Sequence, residues 1–155
     1  MSDRGLSRRA LGLGFFAMAV ATSTRAETPV INSGHFNGLA LHGYDVMTYW
    51  TGDSPQEGNR DIRTTYKGVD WVFVSEANRA AFLEDPERYA PQYGGYCAYA
   101  ASQNAIADVD PLAWRIWKGK LYLNYDIRVR RTWAGDIDGN IAKADANWPG
   151  LIGAQ

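Results

Sequence analysis

Two short segments of strand-like residues, each bent at a Lys-Gly pair, constrain this chain more than anything else in it. Ile62–Tyr66 and Val69–Val74 flank Lys67-Gly68, while Ala113–Trp117 and Lys120–Tyr125 flank Lys118-Gly119. The flanking runs carry β-branched and aromatic residues, and a two-residue connection ending in glycine is the mark of a tight antiparallel hairpin. Along KLYLNY the alternation puts Leu121, Leu123 and Tyr125 on one face, with Tyr122 and Asn124 on the other. Helical segments lie between and after the hairpins. Ser75 caps EANRAAFLE, and Asp85-Pro86 ends that helix and opens another, aspartate as cap and proline at the first position. Asp126–Trp133 reads as helix; Ile137, Ile141 and Ala144 keep helical spacing, and Trp148-Pro149 closes the domain. Asp110-Pro111 reads as a short turn or helix, and Pro29–Leu39 as a leader strand or loop. The expected fold is a small single α+β domain, two β-hairpins packed against several short helices. No sustained repeat and no low-complexity segment is visible.

The first 26 residues are expected to stand outside that fold. Arg4, Arg8 and Arg9 precede an apolar run of 11 residues, Leu11–Ala21, too short to span a bilayer comfortably and suited to the core of a signal peptide. Thr24-Arg25-Ala26 offers small residues before a cleavage point, which leaves 27–155 as the domain. Ser7-Arg8-Arg9-Ala10-Leu11 resembles a twin-arginine signal, although Gly12 and Leu13 depart from the usual pattern. The expected location is the periplasm or outside the cell. No cysteine follows the apolar run, so no lipid-modified anchor and no stable membrane anchor is expected.

Removing residues 1–26 takes away Arg4, Arg8, Arg9 and Arg25 against Asp3, leaving 12 basic and 16 acidic residues and a net charge of −4. That sign argues against nucleic acid as a partner, because phosphate backbones demand clustered Lys and Arg. A single cysteine allows no internal disulfide, so the domain must be held by its core, to which six tryptophans and nine tyrosines contribute.

That cysteine, Cys97, sits in YAPQYGGYCAYAAS (Tyr89–Ser102) with Tyr89, Tyr93, Tyr96 and Tyr99 around it. As thiolate it could bind a soft metal such as Cu(I), or act as a redox nucleophile. As thiol it could equally fill a tight corner of the core. His42 and His35 are the only imidazoles, and His42 abuts GYDVM, which contains Asp45 and Met47. Imidazole, thiolate and thioether together suit copper, provided that Leu41–Trp50 and Tyr93–Ala100 meet in space. Asp45 has an ordinary reading as a cap or turn residue, and Met47 as core filler. Tyr44, Tyr93, Tyr96 and Tyr99 could line a pocket for a flat or sugar-like ligand. No HExxH, nucleotide-binding glycine loop or paired-carboxylate motif is present, and catalysis is not expected.

GYDVMTYW (Gly43–Trp50), Trp71–Ala100, WRIWKGKLYLNYD (Trp114–Asp126) and NIAKADANWP (Asn140–Pro149) resemble the exported YHS-domain family. Such domains are similar to small cysteine-rich metal-binding modules of the TRASH type attached to copper transporters, whose pattern is like F-C-S-E-x-C-R. Here the corresponding segment is Phe73–Arg79, with Val74 and Asn78 at the two cysteine positions. Neither supplies a thiolate, so a site of that kind cannot form at these positions. The resemblance, the lone thiol in its glycine- and tyrosine-rich setting and the expected folded export together point to a metal-handling or metal-sensing role, copper first, with Cys97 as central ligand, His42 as the best second ligand and Met47 and Asp45 as the remaining candidates. The alternative is a module that keeps the scaffold without the metal and binds a small ligand or a partner.

Overall fold

A computed structural model describes residues 29–34, 37–52 and 54–153. The expected signal peptide and His35 lie outside these residues. The fold is α+β. In chain order come α1 (Thr48–Thr51), β1 (Asn59–Tyr66), β2 (Val69–Phe73), α2 (Glu76–Glu84) and α3 (Pro86–Tyr89). Then follow α4 (Ala98–Ser102), β3 (Asp110–Trp117), β4 (Lys120–Asn124), α5 (Ile127–Ala134) and α6 (Ile137–Leu151). The sheets are two separate antiparallel hairpins, β1–β2 and β3–β4.

The Lys-Gly turns form where the spacing places them. Lys67 and Gly68 have φ of 49° and 78°, and Lys118 and Gly119 have 49° and 74°. Two consecutive left-handed residues match the twist of the flanking strands, and glycine takes the second at no steric cost. Two N-caps fall as read, Ser75 accepting from the Asn78 N–H and Asp85 from that of Arg88, while Asp126, read as the first helical residue, instead caps α5 by accepting from the Val129 N–H. Asp110-Pro111 differs from its reading, because these residues begin β3 rather than a turn or helix. They lie at the ladder's end beyond a bulge, where a proline's missing N–H is tolerated.

The hairpins belong to two copies of one unit, a repeat that the sequence does not display. Each copy starts with a single 3-10 turn, Ala40–Gly43 or Gln92–Gly95. In the first, Leu41 and His42 have φ of 53° and 56°; in the second, Tyr93 and Gly94 have 55° and 58°. The Tyr44 N–H donates to the Leu41 carbonyl at 3.0 Å, and the Tyr96 N–H to that of Tyr93 at 2.9 Å. The Asp45 N–H donates to the Gln56 carbonyl, the Cys97 N–H to that of Ala107. Both hairpins break register at the same place, between Asn59 and Arg63 and between Asp110 and Trp114. Both continue into a capped helix and then a second one, whose caps Asp85 (φ −153°, ψ 73°) and Asp136 (φ −151°, ψ 75°) share one conformation. Equivalent positions lie 52 residues apart in the turns (Asp45 and Cys97) and 51 apart from the hairpins onward (Lys67 and Lys118).

The core runs through both copies. Leu41, Val46, Tyr49, Trp71, Phe73 and Phe82 of the first pack with Cys97, Leu121 and Leu123 of the second. A smaller cluster joins Tyr93, Ala98, Tyr122, Trp133, Ile137 and Ala144. Strand β4 is thus covered on both faces, Leu121 and Leu123 toward one cluster and Tyr122 toward the other. Tyr125, expected in line with the leucines, lies beyond the strand end and is 58% exposed.

Candidate functional site

The copies align Asp45 with Cys97, and the surroundings of both side chains are closed. Asp45 is fully buried. Its Oδ1 accepts from the Met47 N–H at 2.8 Å, and its Oδ2 from the Val74 N–H at 2.8 Å and the Asn78 Nδ2 at 2.7 Å. Val74 and Asn78 are the positions at which the metal-binding modules that this chain resembles carry cysteine. Here both turn a donor onto one carboxylate, and the space between them is spent on hydrogen bonds.

Cys97 is 1% exposed and is the N-cap of α4, its sulfur accepting from the Ala100 N–H at 3.4 Å. The thiol lies 3.8 Å from the Asn124 Oδ1, which also accepts from the Tyr99 N–H at 3.2 Å. Burial pushes the thiol pKa up, against the backbone N–H groups of Ala100, Tyr125 and Tyr99, which favour the thiolate. A protonated, enclosed sulfur is a poor nucleophile and a poor metal ligand.

The other candidates lie apart from it. The His42 Nε2 meets the Asp108 Oδ1 at 2.7 Å, and the ring sits over Gly34, where an added Cβ would come within 3.1 Å of it. Asp108 also accepts from the Asn32 Nδ2 at 2.7 Å and from the Val109 N–H at 2.8 Å. Burial would raise its carboxyl, but the Asn32 amide, the Val109 N–H and the His42 ring outweigh this and hold it below the usual carboxylate range. Met47 is buried in the first core cluster. Among the described residues no group of three or more His, Cys, Asp and Glu side chains is placed to hold a metal ion, so Cys97, His42 and Asp45 do not converge.

The four tyrosines part company in the same way. Tyr44 and Tyr99 pack partly buried against the core. Tyr96 is buried beside a small cavity of about 270 Å³ that Asn32 and Asp108 also line. Tyr93 lines a cleft of about 450 Å³, within the range of small-molecule sites. It is lined by the left-handed turn Tyr93-Gly94, by Tyr66 and Lys67 of the first hairpin, by Glu87 of α3, and by Asp145 and Trp148 of α6. The Tyr93 hydroxyl donates to the Asp145 Oδ1 at 2.9 Å, and its ring meets that of Trp148 edge-on, centroids 5.6 Å apart. Burial, then the bond to Asp145, pushes the Tyr93 phenol far above its ordinary range, so it stays a donor. Asp145, Trp148, Lys67 and Glu87 were not legible as site residues. The only signal was an unpaired Trp-Pro near the end of the chain, read as the domain's close.

No helix among the described residues is long and apolar enough to cross a membrane. Comparison with curated proteins and with solved structures finds no match. A family model does match: residues 54–93 fit the YHS domain, a family associated with metal binding, over β1, β2, α2 and α3 of the first copy. Over residues 54–93 the chain is therefore similar to the YHS domain.

Proposed function

We propose that this protein is a metal-independent binding module, in which the YHS scaffold holds a small ligand in the cleft lined by Tyr66, Tyr93 and Trp148. The observation that carries this reading is the contrast between two places. Around Asp45 and Cys97 every polar atom of the two side chains is engaged and both side chains are buried, whereas the Tyr93–Trp148 cleft is open and lined by aromatic rings and charged groups. Copper held by Cys97 and His42 was the leading expectation from the sequence. It draws support from the family's association with metals, but little from the geometry, since the thiol is sealed and the imidazole is engaged by Asp108. Export belongs to the same proposal and rests on residues 1–26 alone; such a module would meet its ligand in the periplasm or outside the cell.

Metal analysis and calorimetry on the purified protein test the reading. Copper and zinc are expected to bind no better to the wild type than to Cys97→Ser or His42→Ala. One equivalent of copper, retained through dialysis and lost in Cys97→Ser, would replace the proposal with the metal one.

A further inference from the structure

The cleft lies where the two copies cease to be alike. Helices α3 and α6 both start from an aspartate cap in one conformation, yet α3 has 4 residues and α6 has 15. The extra turns of α6 have no counterpart in the first copy, and they carry Asp145, Trp148 and Pro149 across to face the first hairpin's turn. A unit that departs from its own twin departs where it has been specialised, and here the departure builds a wall of the cleft.

The lining has a definite chemistry. Trp148, Tyr93 and Tyr66 supply aromatic surface. Between them stand acceptors, Asp145 and Glu87, and donors, Lys67 and the Gln92 amide. The charges are largely answered within the protein: the Lys67 Nζ lies 3.8 Å from the Glu87 Oε1, and the Asp145 Oδ1 takes the Tyr93 hydroxyl. No described residue bonds the second oxygen of Asp145. A purely apolar occupant would strip water from two carboxylates and an ammonium without replacing its hydrogen bonds. An anion would face Asp145 and Glu87. A neutral molecule with a C–H face for the rings and a rim of hydroxyls for the polar groups satisfies both sets.

Building on the cleft reading above, we propose that the ligand is a neutral saccharide of one or two pyranose rings. Trp148 forms the platform, with the buried Tyr93 ring packed edge-on against it, and Asp145 accepts from ring hydroxyls. Ligand-detected NMR on the whole protein with maltose, cellobiose and chitobiose tests this, with indole and butylamine as further probes. At least one disaccharide is expected to bind saturably, with a Kd no weaker than about 10 mM. Asp145→Ala, a change at an exposed position, is expected to weaken it about tenfold. Trp148→Phe keeps an aromatic face and is expected to bind the sugar more weakly while remaining folded. Saturable binding of indole or butylamine, lost in Trp148→Phe, with no sugar bound, would overturn the saccharide assignment and leave the cleft reading standing. No saturable binding of any probe would overturn both. Sugar binding unchanged in Asp145→Ala and Trp148→Phe would locate the site elsewhere and overturn the assignment to this cleft.

Discussion

Asp45 and Cys97 hold the same position in the two copies, and each side chain accepts backbone N–H groups of its own copy, Met47 and Val74 for Asp45 and Ala100 for Cys97. Both side chains thus secure backbone N–H groups just after the 3-10 segment, and the carboxylate alone also reaches past its hairpin, to Val74 and Asn78. Asp45→Ala leaves the buried Met47 N–H and the part-buried Val74 N–H and Asn78 amide without this acceptor. Each orphaned donor costs about 1–3 kcal/mol, so a loss of about 3 kcal/mol or more is expected in urea unfolding. A loss below about 1 kcal/mol would mean that the carboxylate is not the anchor of the first copy.

Cys97, the neutral member of the pair, makes the protein sensitive to alkali. A thiol kept protonated by burial ionises first in the unfolded chain. Its contribution is therefore complete below the ordinary thiol range, at about pH 8.5, and falls as the pH rises through the folded value. Tyr122, pushed up to about 12 mainly by burial and then by Asp145 and Asp138, adds a second decline above about pH 10. Stability measured from pH 7 to 10 is expected to fall in the wild type and to be flatter over the first part of that range in Cys97→Ser. Iodoacetamide is expected to label Cys97 only after denaturation. Prompt labelling of the folded protein at pH 8 would show an accessible thiolate and return the metal reading to first place.

The hairpins, their Lys-Gly turns and the caps at Ser75 and Asp85 were all legible because each is fixed by its neighbours in the chain. The duplication was not. Its copies share Gly43 with Gly95, Tyr44 with Tyr96 and the Lys-Gly turns, but they exchange Asp45 for Cys97 and Phe73 for Asn124, so chemical likeness is lost while geometry is kept. The cleft was illegible for a different reason. Its walls come from Tyr66, Glu87 and Trp148, far apart in sequence, and only the extra length of α6 brings them together. Cys97 drew attention by being alone, which is a property of composition and says nothing about access.

The exchange of Phe73 and Phe82 for Asn124 and Trp133 leaves a trace that can be measured. In the first copy the two rings meet at 5.4 Å. In the second, the Asn124 Nδ2 and the Trp133 Nε1 are buried with no partner among the described residues. Trp71, equally buried, donates its Nε1 to the Tyr66 carbonyl at 3.1 Å. Trp133→Phe sheds an unsatisfied donor, and Trp71→Phe breaks a hydrogen bond, while both remove similar apolar area. Trp133→Phe is therefore expected to be the milder by about 1–2 kcal/mol in denaturant midpoints taken at equal slope. Equal costs would indicate that the Trp133 N–H is satisfied in solution, by a buried water for example.

Gly94 and His42 are equivalent, and only one of them can carry a side chain. Both have φ near +57°, a region that costs a non-glycine residue about 1–2 kcal/mol. His42 meets that cost and extends its ring over Gly34 to Asp108. At Gly94 the N-terminal segment crosses directly above the turn, where the Asn32 N–H donates to the Gly94 carbonyl at 2.8 Å. A Cβ on residue 94 would overlap the Val30 carbonyl, backbone that cannot rotate aside. Gly94→Ala must therefore lift residues 30–32 off the turn and uncover Ile31, which is 4% exposed. The expected cost is about 3 kcal/mol, the strain and the lost Ile31 burial together. Limited proteolysis distinguishes this from a general loss of stability, because cleavage is expected to rise first near Val30–Gly34 while the hairpins remain protected. Uniform sensitisation of the whole chain, or none, would mean that the segment is not held by this turn.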